Sequence, residues 1–183
     1  MPFNFSRMSH EEVLDFLSCN KRKTFKFWYD QVCFVVPNDV KIGGQIHYVA
    51  RFLTAFSLKS APLGVYFPTL PRLMIAYRSL MSDVDFASNP KKMEIAACSA
   101  LLLGGFYFHD TAASYNLADI EKTGRSLFMK SAVGRRKKVL VEMGKNFRAW
   151  QNLLAYLNWH LHEEKFLINV PRPIGPLIKI TGG

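Results

Sequence analysis

Three groups of residues have side chains that could do chemistry. His160-Leu161-His162-Glu163-Glu164 brings imidazoles and carboxylates together, the ligand types of a zinc or other divalent site. On a helix, residues two apart point to different sides, so only His160 and Glu164 would share a face, and a polar helix end is expected instead. His109-Asp110 could be a carboxylate-oriented general base, but no Ser or Cys nucleophile motif accompanies it. Asp83 and Asp85 resemble the paired carboxylates that hold a divalent cation in nucleases, yet no Lys-containing nuclease motif goes with them. Loop acids capping the following helix are the expectation. Neither a Walker loop nor GxGxxG is present, and Gly43-Gly44 and Gly104-Gly105 lack the required neighbours. The chain therefore reads as a non-enzyme with no cofactor and no bound metal.

Basic residues carry a more specific signal. Between Lys122 and Arg148 lie nine of them, Lys122, Arg125, Lys130, Arg135, Arg136, Lys137, Lys138, Lys145 and Arg148, against the single acid Glu142. That stretch supplies eight of the ten formal net charges, while residues 27–121 are nearly balanced, so the excess is a site rather than a property of the whole surface. Arg135 to Lys138 are four consecutive cations, which repel one another unless an anion lies near. A second cluster, Lys21, Arg22, Lys23 and Lys26, is interleaved with Phe25, Phe27, Trp28 and Tyr29. Cations for phosphates beside flat apolar rings for unstacked bases are what single-stranded nucleic acid requires. Phe25 and Trp28 are the candidate base-stacking residues, with burial in the core as the competing reading. An anionic membrane surface would use the same cations, but the apolar positions beside the main run have ordinary core spacing rather than that of an inserting face.

The 183 residues allow one domain, or two small lobes sharing a core, and 49% hydrophobic residues exclude disorder throughout. Cys19, Cys33 and Cys98 show neither CxxC nor other metal-ligand spacing, so reduced, buried thiols in a cytosolic protein are expected. Met1 to Phe16 carries charges where a signal peptide is apolar, and Ile95 to Phe108 is short of the ~20 residues a spanning helix needs.

The elements that must position these residues read as all-α. Ser9-His10-Glu11-Glu12 forms a capping box ahead of a helix over 9–19. Thr24 to Val36 supports a helix or a strand, with helix preferred; 45–59 is helical by the recurrence of Ile46, Val49, Phe52, Leu53 and Phe56. Pro62, Gly64 and Pro68 make 61–68 an irregular link, after which Thr69 caps a helix to about 82 with Pro71 in its first turn. Asn89-Pro90 begins a long helix reaching at least Phe108, with Gly104-Gly105 as a kink or a place of close packing. Helices follow over 116–132 and, capped by Asn146, from Phe147 to about His162. The division is an N-terminal arm at 1–8, a helical body at 9–166 and an extended, Pro-containing apolar arm at 167–183, which needs a groove on its own body or a neighbour.

Several segments, in this order, resemble the nucleoproteins of phlebovirus-like segmented negative-strand RNA viruses. They are Gln45 to Leu53 with its Val49-Ala50 step, Phe67 to Met74 with Pro68-x-x-Pro71-Arg72-x-Met74, Val84-Asp85, and Gly134 to Leu140. Flexuous filamentous plant virus coat proteins share a related helical plan. The likeness spans about 45 to 143; the chain differs in a shorter N-terminal part and an added apolar C-terminal arm. It implies an all-helical protein that holds RNA in a basic cleft and polymerises by placing a terminal arm on its neighbour, in host cytoplasm and virion. It adds Arg72 to the candidate RNA contacts. The expected partners are single-stranded RNA and further copies of the chain, with a matrix-type adaptor on anionic membrane as the alternative.

Overall fold

The computed structural model describes residues 21–37, 43–57 and 69–163. The expected helix at 9–19, the link at 61–68 and both terminal arms lie outside these residues. Among the described residues the protein is all-α, with no strand. The helices are α1 (Lys21–Val35), α2 (Gly43–Phe56), α3 (Leu70–Ser82), α4 (Pro90–Gly104), α5 (Phe108–Ser114), α6 (Leu117–Ser131), α7 (Lys137–Lys145) and α8 (Phe147–Glu163), with single 3-10 turns at Phe86–Ser88 and Gly134–Arg136.

The chain divides into two units. The first contains α1, α2 and the part of α8 from Leu157. The open choice between helix and strand for α1 resolves as helix because Phe27, Trp28, Gln31, Val32 and Val35 are all buried, the 3.6-residue period of a face packed on α2. The α2 residues Val49, Ala50, Phe52 and Leu53 are buried in turn.

The second unit holds α3 to α7 and α8 through Tyr156. At its centre is α4, in which every residue from Ala96 to Gly104 is buried; a helix apolar on all sides must be enclosed. Its most extensive packing is against α6. That approach depends on small residues: a side chain at Gly124 of α6 would run into the Phe147 ring and lie 3.0 Å from Ala100 Cβ. The glycine that weakens α6 by propensity thus sets its distance from α4 and α8.

Two expectations are corrected in this unit. The helix from Pro90 does not reach Phe108: it stops at Gly104, and a turn at 105–107 leads into α5. A Cβ on Gly105 would lie 2.8 Å from Leu154 Cβ and 3.0 Å from the Gln151 carbonyl, so the glycine pair both ends the helix and admits the α8 backbone. Thr69 occupies the N-cap position of α3 but makes no side-chain capping bond. Asn89 and Asn116 do cap: Asn89 Oδ1 accepts from Lys92 N at 3.2 Å and Asn116 Oδ1 from Ala118 N at 3.0 Å. Of the two described thiols, Cys98 is buried as expected, whereas Cys33 is exposed on α1. No described helix is long and apolar enough to cross a membrane.

Candidate nucleic-acid interface

The main basic run is built on α6, the following turn and α7. Helical periodicity sends Ile120, Leu127 and Phe128 inward and leaves Lys122, Arg125, Ser126 and Lys130 exposed on the other side of α6. After Val133, Gly134 turns the chain with φ +65°, a left-handed conformation that glycine adopts without strain. The turn sets Arg135, Arg136, Lys137 and Lys138 side by side at the surface. Leu140 and Met143 then anchor α7, and Lys145 is exposed near its end. Gly144 lets α7 lie close under α6, since a Cβ there would be 2.9 Å from Met129 Sδ.

The acids sort these cations into two groups. Arg136 Nη1 donates to Glu94 Oε1 at 2.7 Å, and that carboxylate is only 12% exposed on α4. Arg136 is therefore the strut that fixes the run to the core. Glu121 lies 3.5 Å from Arg125 and 3.8 Å from Arg148, loose pairs at the surface that constrain little. Lys122, Lys130, Arg135, Lys137, Lys138 and Lys145 are exposed and make no ion pair among the described residues. Two unit charges ~7 Å apart in water repel by about 0.6 kcal/mol, so crowding them is unfavourable until an anion intervenes.

The first cluster differs. Trp28 is not a stacking residue: it is fully buried, and its Nε1 donates to Ser57 Oγ at 2.9 Å, so its ring belongs to the α1–α2 core. Phe25 is half-buried, 5.1 Å from the His47 ring and 6.0 Å from Tyr29. Lys26 Nζ is bound by Asp30 at 2.9 Å. Lys23 is exposed, and the side chains of Lys21 and Arg22 lie outside the described residues. Arg72 is exposed near the start of α3, on a helix separate from the run; α3 reaches α6 through a Tyr77–Thr123 hydrogen bond, and burial raises the Tyr77 phenol.

Reading the sequence missed two kinds of surface residue. Met129 and Val133, 46% and 54% exposed, lie among the cations of α6, although the run's apolar positions were expected to be core. Phe34 is 64% exposed on α1. Phe34 is seven residues past Phe27 and three past Gln31, both buried, so the helical period places it at the edge of the buried face and does not by itself mark it as outward.

The remaining chemical candidates resolve locally. Lys92 Nζ sits between Asp83 at 2.9 Å and Asp85 at 2.6 Å, so an ammonium occupies the space between the paired carboxylates. The hydrogen bond from Lys92 holds the Asp85 carboxyl below its ordinary value, and Asp85 raises Lys92 in turn. These acids do not cap α4 as expected; Asn89 does. His109 and Asp110 fall in the first turn of α5, and Glu164, the expected face-mate of His160, lies outside the described residues. No protein-family model, curated protein or solved structure matches the chain.

Proposed function

We propose that this chain is a nucleocapsid- or coat-type protein of an RNA virus, which binds single-stranded RNA without marked sequence preference and self-assembles through its terminal segments. The observation that carries the reading is the surface of α6, the Gly134 turn and α7, where six exposed cations have no acidic partner among the described residues. Exposed cations without fixed counter-charges among the described residues suit a polyanion gripped by its phosphates. The resemblance of Gly134 to Leu140 and of the Pro68 to Met74 stretch to viral nucleoproteins supports the same reading, as does the apolar composition of 167–183. On this reading the protein works in host cytoplasm and virion, and Arg72 joins the contacts.

The test is the absorbance ratio at 260 and 280 nm of freshly purified protein, read with its size distribution. Co-purifying nucleic acid in rings or filaments is expected, with log K falling by ~0.7 per phosphate contact for each tenfold rise in salt. A nucleic-acid-free monomer that does not bind oligonucleotide would overturn the proposal. The second reading, an adaptor on anionic membrane, is favoured by one observation: Met129 and Val133 expose apolar surface among the cations. Flotation with phosphatidylserine vesicles, at the ionic strength used for RNA, separates the two.

A further inference from the structure

Of the α1 rings Phe34 is the most exposed, and it is not alone. Its centroid lies 4.5 Å from that of His160 on α8, with the planes inclined by 21°, an offset stack of two flat rings within the first unit. A phenyl ring has two faces. His160 covers one, and with 64% of the residue still exposed the other is left uncovered by the described residues. The surroundings limit what that face could take. On α1 Tyr29, Asp30 and Cys33 are polar or only partly exposed, and Pro37 is the next exposed apolar residue, so the described part of this helix lacks the run of apolar positions that seats an amphipathic helix. Lys23, Lys26, Asp30 and Phe34 follow one another at steps of three, four and four residues, so they share a stripe of α1 with cations toward one end and the ring at the other. Asp30, one turn from the ring, holds Lys26, and Lys23 lies about 16 Å along the helix, so the stripe offers a planar, apolar contact for a nucleobase with a cation at the reach of a phosphate further along the same strand.

We infer that Phe34, backed by His160, is the base-stacking platform of this protein, taking one unpaired base of single-stranded RNA on its open face. The inference rests on the RNA-binding reading above and gives it a residue that recognises bases rather than phosphates. It also replaces the buried Trp28 in that role. Base–aromatic stacking tolerates any base, in keeping with binding without sequence preference.

The experiment compares full-length protein with Phe34→Ala and Phe34→Trp, using fluorescence anisotropy on two probes. One is a labelled oligouridylate and the other an abasic strand of equal length and phosphate number. Wild type is expected to prefer the base-bearing strand by about tenfold or more. Phe34→Ala should bind both strands at the abasic level, with the salt slope and the melting temperature unchanged because the ring is mostly exposed. Phe34→Trp should restore the preference and show emission quenched by the oligouridylate but not by the abasic strand. Retention of the preference in Phe34→Ala overturns the inference. Equal wild-type binding to both strands overturns it too, while leaving the RNA reading standing. Wild-type binding to neither strand sinks the RNA reading itself.

Discussion

Two stretches of this protein mix cations with large apolar side chains, and they use them in opposite ways. In α1 the rings of Phe27 and Trp28 turn into the core and Lys26 is paired with Asp30. Across α6, the Gly134 turn and α7, the apolar residues Leu127, Phe128, Leu140 and Met143 are buried, while most of the cations face water without acid partners among the described residues. Similar composition therefore gives a structural helix in one place and a charged surface in the other. Two things decide between them: which residues the helical period turns inward, and whether an acid lies within reach.

The largest effect that could break this comparison is on Trp28. Truncating a fully buried tryptophan should cost about 3–5 kcal/mol, so Trp28→Ala should lower the melting temperature sharply or prevent folding. The loss also removes the donor to Ser57 Oγ. A folded, equally stable Trp28→Ala protein that no longer binds RNA would restore Trp28 as a contact and end the distinction.

Next in size is the simultaneous change of Arg135, Lys137 and Lys138 to Ala, leaving Arg136 in place. If each cation meets one phosphate, the salt slope should fall by about two units, and affinity at 0.15 M salt by about fiftyfold. All three are exposed, so the melting temperature should hardly move. Unchanged affinity would show that the run is only a solvated face.

How much of this was legible in the sequence depends on separation along the chain. The run at 135–138 is contiguous and α6 is strongly periodic, so the cationic stretch and the helix ahead of it could be read directly, whereas the nine-residue α7 was not set apart as a helix by its period. The strut could not, because Glu94 and Arg136 are 42 residues apart and nothing in the sequence near Glu94 points to Arg136. Trp28 and Phe34 were beyond reach for a different reason. Their segment carries five aromatics and three valines among residues 24–36, so its period could not choose between helix and strand, and without that choice no side chain can be assigned an inward or outward face.

Arg136 sharpens the contrast at the next level down. It belongs to the run by sequence and to the core by contact, so Arg136→Ala should behave unlike its neighbours. Taking the Arg136 guanidinium away from the mostly buried Glu94 carboxylate should cost about 1–3 kcal/mol, seen as a lower urea midpoint. Glu94→Gln with Arg136 intact should cost less, because a neutral amide can stay buried with a weaker hydrogen bond. If Arg136→Ala is as silent in stability as Lys138→Ala, the strut assignment fails.

The smallest expected effect lies in α1. Lys26 precedes Asp30 by four residues, the less favourable order for such a pair on a helix, and both side chains are partly exposed, 44% and 33%. Lys26→Ala should therefore change stability by no more than about 0.5 kcal/mol. Its ammonium already has a carboxylate beside it, so an incoming phosphate must compete for it, and the salt slope should fall by less than the ~0.7 of a full contact. Asp30→Ala provides the decisive counterpart. Removing the acid frees Lys26, and RNA affinity should rise slightly even though the variant loses an ion pair. A rise there, with a fall in the Arg135, Lys137 and Lys138 variant, would show that the availability of each cation, more than their number, separates the two regions. Loss of the full ~0.7 of slope in Lys26→Ala would instead place α1 on equal terms with α7.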